Sequence, residues 1–118
     1  MSPPPVARTV VFHPHEARAQ FAFRMRSPAF SAVRLVVPHR AIVSLLAKPA
    51  GSGGMELVFS TRPFRGRCRR RGRVDVCETD EEACPAPHGR WIVRVTRHGR
   101  TNAPMRVRVR LTFSNRAG

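Results

Sequence analysis

The chain has 118 residues, 42% of them hydrophobic, and 22 Lys and Arg against 7 Asp and Glu give it a net charge of +15. That length suits one domain with one core and excludes a core plus a separate catalytic lobe, and the apolar fraction excludes wholesale disorder. No apolar run approaches the roughly 18 residues of a helical membrane span.

In chain order, residues 1 to 5 read as a Pro-rich tail and Val6 to Phe12 as a short edge strand ended by His13-Pro14-His15, so residues 1–15 precede a single β-sandwich domain over 16–115. The start shows no basic segment followed by an apolar one, so no signal peptide is read in this chain. From Gln20 to Arg26 the residues alternate, with Phe21, Phe23 and Met25 on one face and Ala22, Arg24 and Arg26 on the other until Ser27-Pro28. Val33, Leu35 and Val37 continue that period with Arg34 opposite, and Ala41 to Ala47 is a near-continuous apolar run suited to an interior strand. A Gly-rich loop from Lys48 leads to Met55–Ser60, where Met55, Leu57 and Phe59 face one way and Glu56 and Val58 the other.

Residues 62–87 differ from this pattern. Seven arginines lie between Arg62 and Arg73, five of the seven acidic residues follow, and only Val74-Asp75-Val76-Cys77 looks like strand. An irregular excursion of this length in a compact domain needs something to tie it down. The end of the chain reads as a long hairpin. Trp91, Val93 and Val95 alternate with Arg90, Arg94 and Thr96, a turn covers Arg97 to Asn102, and Met105, Val107, Val109, Leu111 and Phe113 alternate with Arg106, Arg108, Arg110 and Thr112. Short strands with frequent turn signals and no convincing 3.6-residue period predict an all-β fold, an antiparallel β-sandwich of jelly-roll type with seven to eight strands.

A basic excess of this size attracts polyanions such as nucleic acid, anionic lipid or acidic polysaccharide. Lys48 is the only lysine, however, and an Arg bias with abundant Ala, Pro, Gly and Val is equally what a GC-rich genome places on a solvated surface. The densest basic run, Arg65, Arg67, Arg69, Arg70, Arg71 and Arg73, is the candidate polyanion site, because guanidinium forks bind oxyanions bidentately. Arg106, Arg108 and Arg110 form a second stripe, with Arg90 and Arg94 expected across from them. Specific nucleic-acid reading finds no support, since there is no groove-reading helix, no RNA-binding aromatic signature and no tyrosine.

Cys68, Cys77 and Cys84 lie within 17 residues, enough for one bridge with one thiol left over. With His88 they lack the C-x2-C knuckle of a zinc site, and the acidic cluster of Asp75, Glu78, Asp80, Glu81 and Glu82 lacks the glycine-punctuated pattern of a calcium loop. No metal ligand set or cofactor motif is read. None of the five histidines sits in a motif with a defined mechanism, so the chain reads as non-catalytic and no catalytic residue is assigned.

The order of the Phe21-x-Phe23 strand, the apolar strand, Gly53-Gly54-Met55-Glu56-Leu57, Cys77, Glu82-Ala83-Cys84-Pro85, Gly89-Arg90-Trp91-Ile92-Val93-Arg94-Val95 and a final alternating strand resembles the bacterial pre-peptidase C-terminal domain. That family is a secreted β-sandwich found beside extracellular proteases. The resemblance implies a Cys77–Cys84 bridge closing the acidic loop, with Cys68 left over. Where calcium-binding members supply Asp carboxylates, this chain offers only Glu56, so the resemblance does not extend to calcium.

The expectation is therefore a non-catalytic, extracellular or cell-surface binding or accessory module. Its expected partners are an anionic polymer, a cell-surface component or a larger protein. The alternative is a cytoplasmic, Arg-rich, nucleic-acid-associated protein with reduced thiols.

Overall fold

The structure is a computed structural model that describes residues 3–51, 54–62 and 67–116, with the side chains of 81–83 outside the description. Its elements are β1 (Val6–Phe12), β2 (Arg18–Met25), β3 (Ala29–Pro38), β4 (Ile42–Pro49), β5 (Leu57–Ser60), β6 (Arg67–Arg71), β7 (Val74–Pro85), β8 (Gly89–His98) and β9 (Met105–Ser114). The all-β sandwich expected from the alternation is present, with nine strands among the described residues in place of seven to eight. One sheet runs β1-β9-β3-β7-β6 and the other β2-β8-β4-β5, with every pair antiparallel.

That order is a jelly roll. The chain behaves as one long hairpin, pairing β1 with β9, β2 with β8, β3 with β7 and β4 with β5. Rolling it up places successive pairs in alternate sheets, and β6 is an addition at the edge beside β7.

This topology corrects two expectations. β8 and β9 do not form a hairpin: they lie in opposite sheets, and the connection after His98 crosses between layers about 10 Å apart. Both strands carry a continuous apolar face, and facing each other across the core buries both faces. Arg90 and Arg94 therefore stand on the other sheet from Arg106, Arg108 and Arg110. Secondly, the stretch after residue 66 is a regular hairpin, β6 and β7, joined by Gly72-Arg73 with Gly72 at φ 63°. Glycine at the first central position of a two-residue loop suits the II′ turn, whose twist matches that of paired strands.

The core lies between the sheets. Val107, Val109 and Leu111 from β9, Val33, Leu35 and Val37 from β3, and Val43, Leu45, Trp91, Val93 and Val95 from the opposite sheet are buried. Phe23, Phe30, Trp91 and Phe113 form an aromatic cluster at one end, with ring centroids 5.1 Å apart for Phe30 and Trp91 in an edge-to-face arrangement. The Trp91 indole N–H, which burial would otherwise leave unsatisfied, donates to Pro87 O at 2.8 Å.

The other end is closed differently. Arg97, expected at the start of the turn over Arg97 to Asn102, is a β8 residue that continues the inward series of Trp91, Val93 and Val95 and is 3% exposed. Its Nε donates to Glu16 O, Nη1 to Ala103 O, and Nη2 to His13 O and Thr101 O, at 2.6 to 2.9 Å. The guanidinium also sits 5.2 Å from the Phe12 ring centroid. One side chain thus joins the β1–β2 connection to the β8–β9 connection.

Candidate functional site

Register on the outer face of the five-stranded sheet sorts the arginines. One row reads Ala7, Arg110, Arg34, Glu78, Arg67 across β1, β9, β3, β7 and β6. The next reads Thr9, Arg108, Val36, Val76, Arg69. Beyond it, Val11 pairs with Arg106 on one side, and Pro38, Val74 and Arg71 align on the other. Two arginine rails result: Arg106, Arg108 and Arg110 on β9, and Arg67, Arg69 and Arg71 on β6. Residues two apart on a strand are about 6.8 Å apart, and three strand spacings put the rail backbones about 14 Å from each other.

Val36, Val74 and Val76 form the floor between the rails, and this part of the face is a groove of about 630 Å³. Val76 is only 9% exposed although it stands on the outer side. Long arginine stems from neighbouring positions can shelter such a floor while their heads stay in water. Arg34 is paired with Glu78 through Nη2 at 3.2 and 3.3 Å, and both side chains are about two-fifths exposed. Such a pair contributes little to stability, but it offsets the charge of Arg34. Among the described residues, none of the six rail arginines has a carboxylate within ion-pair distance.

The sequence-predicted run is divided by this geometry. Arg67, Arg69 and Arg71 point outward as one rail, whereas Arg70 lies on the inner side opposite Asp75, its Nε donating to Gly72 O at 2.9 Å. Arg73 is in the turn, where its carbonyl accepts from His39 N at 3.0 Å. Arg65 lies outside the described residues. The face also recruits Arg34, which its parity with Val33 and Leu35 had placed outward, and the three valines, which no motif had singled out.

The disulfide is Cys68–Cys77, not the Cys77–Cys84 bridge that the family resemblance implied. Cys68 and Cys77 are cross-strand partners with Cα atoms 4.0 Å apart. Cys77 and Cys84 occupy one extended strand, and seven residues at about 3.3 Å each separate them by roughly 23 Å. Cys84 instead pairs in register with Phe30, and its Sγ lies 3.7 Å from Met55 Sδ.

Beside the bridge is a smaller cavity of about 370 Å³, lined by His39, Ala41, Thr61, Arg62, Cys68, Arg70, Asp75 and Cys77. Asp75 caps the β3–β4 turn. Its Oδ1 is 2.7 Å from His39 Nδ1, and its Oδ2 accepts from Arg40 N at 2.9 Å. Arg40 has φ 67°, an uncommon conformation for a residue with a side chain, and the cap helps hold it there. Burial pushes the Asp75 carboxyl up, but the His39 hydrogen bond, the Arg40 N–H and the charges of His39 and Arg62 outweigh it, so its pKa lies below the ordinary carboxylate value. A depressed folded-state pKa contributes stability that is complete above the unfolded value near 3.9 and lost as pH falls through the folded value. The melting temperature of the wild type is therefore expected to exceed that of Asp75→Asn near pH 5, and the margin to shrink as the pH drops below about 4. A margin that stays the same between about pH 5 and about pH 2 would show that the Asp75 charge is not coupled to the fold.

No protein-family model matches this chain, and no curated protein matches its sequence.

Proposed function

We propose that this domain is a non-catalytic binding module that holds an anionic polymer or surface against the outer face of its five-stranded sheet, as an accessory to an exported or cell-surface protein. The observation that carries the reading is the pair of arginine rails: six guanidinium groups without carboxylate partners among the described residues, on either side of an apolar floor. Within each rail the like charges at i, i+2 positions repel, and an anionic cover relieves that repulsion. The disulfide supports the exported reading, because bridges persist in oxidising compartments. The His39–Asp75 pair is taken up by capping a turn, which supports the non-catalytic part.

Chromatography on immobilised heparin tests the proposal with a charge-matched control. Arg106→Ser with Arg108→Ser and Arg110→Ser removes the β9 rail. Arg24→Ser with Arg90→Ser and Arg94→Ser removes the same charge from the opposite sheet. The first variant is expected to elute at clearly lower salt than the second, since neutralised contacts set the steepness of salt dependence. Equal elution would mean that retention reports net charge and that the face is not a site.

A further inference from the structure

We infer that the Cys68–Cys77 disulfide is a redox latch on the β6 rail, so that polyanion binding is strong with the bridge intact and weak once it is reduced. The inference deepens the polyanion reading and rests on it for its consequence, although the latch itself rests on the fold.

β6 has little else to hold it. It is an edge strand that pairs only with β7, and of its five residues four are exposed arginines while Cys68 is half-buried. Its inward-facing positions are Cys68 and Arg70, so it contributes no hydrophobic side chain to the core except through Cys68. The outward residues are the rail, three like charges along one short strand that repel one another, and only Arg67 among them faces a carboxylate residue, Glu78, across the β6–β7 pair. β7 is anchored without β6, because it also pairs along β3 and buries Cys77 to 1% exposure. Opening the bridge therefore releases the rail and leaves the sandwich standing.

The bridge is also reachable. The smaller cavity opens on both cysteines, and Arg62 and Arg70 in its wall favour the approach of a thiolate. Cys68 is the less buried of the two residues, so a dithiol reductant attacks there in its thiolate form. The Cys68–Cys77 bond breaks, a mixed disulfide forms at Cys68, and Cys77 leaves as a thiolate and takes up a proton. The second thiol of the reductant then attacks the mixed disulfide and releases Cys68. The protein gains two electrons and two protons, and the reductant becomes a disulfide.

Two readouts test this separately. Amide hydrogen exchange at Arg67 to Arg71, measured with and without dithiothreitol, is expected to accelerate sharply on reduction while the β9 amides of Val107 to Leu111 stay protected. Unchanged exchange at β6, or loss of protection throughout, would overturn the latch, whatever the protein binds. On immobilised heparin, reduced wild type and the unreduced Cys68→Ser/Cys77→Ser double variant are expected to elute at lower salt than oxidised wild type, and reduction should not shift Arg67→Ser/Arg69→Ser/Arg71→Ser. Reduced wild type eluting with the oxidised protein would overturn the gating. If instead oxidised wild type and the β9-rail variant coelute while β6 exchange still responds to reduction, the polyanion reading fails and the latch stands.

Discussion

Replacing Arg97 by methionine is expected to cost about 3–5 kcal/mol, a large share of the roughly 5–15 kcal/mol that holds a domain of this kind. The side chain is 3% exposed and donates to four carbonyls from two separate connections. Methionine fills much of the volume but supplies no donor, leaving those carbonyls to find water or remain unsatisfied. Its guanidinium is met by the four carbonyl oxygens and the face of the Phe12 ring. Lysine is expected to recover only a minor part, because a single ammonium cannot reach carbonyls arranged around a planar fork. Thermal unfolding followed by circular dichroism should show the melting temperature of Arg97→Met lower by roughly 10–20 °C. A drop of less than about 3 °C would show that the two connections are held by something other than this guanidinium.

Two substitutions on adjacent residues of β9 are expected to have opposite outcomes. Val109 is 1% exposed and pairs in register with Leu35, so Val109→Asp places a charge in the core without a partner, at a cost of more than about 4 kcal/mol. The variant should be largely unfolded at 37 °C. Arg108→Asp, one position away on the outer face, should fold with a melting temperature within a few degrees of wild type, since it replaces one of a row of like charges by an opposite one. It should also bind heparin more weakly. If both variants fold, or both fail, the assignment of the inner and outer faces of β9 is wrong.

The fold class was legible because alternation survives in any strand that is covered on one side only. β9 and β2 show it without interruption, and their buried residues are the ones their period marks. Pairing was not legible, because the period reports which face is covered and says nothing about which strand lies alongside. β8 and β9 are neighbours in sequence with matching patterns, yet their partners are β2 and β4 for one and β1 and β3 for the other. Arg97 could have been found: it holds the same parity as Trp91, Val93 and Val95, and the turn residues Gly99 and Asn102 lie beyond it. β6 gave almost no signal, since its one inward apolar residue, Cys68, is set among arginines, although Gly72 beside Arg73 was a usable hairpin cue. The candidate face was split in the same way. Arg67, Arg69 and Arg71 were visible as a run and Arg106, Arg108 and Arg110 as a stripe, but the distance between them depends on β3 and β7 lying between, a long-range fact.

The charged outer edge has a consequence for self-association. A terminal strand exposes a row of unpaired N–H and C=O groups, to which a second chain can add as another strand. In β6 that row is flanked by Arg67, Arg69, Arg70 and Arg71, so an approaching copy meets its own charge and is repelled. Whatever neutralises these arginines, a polyanion or a set of serine substitutions, also removes the obstacle to edge-to-edge pairing. Crowding many copies onto one anionic chain would favour sheet extension through β6 between molecules.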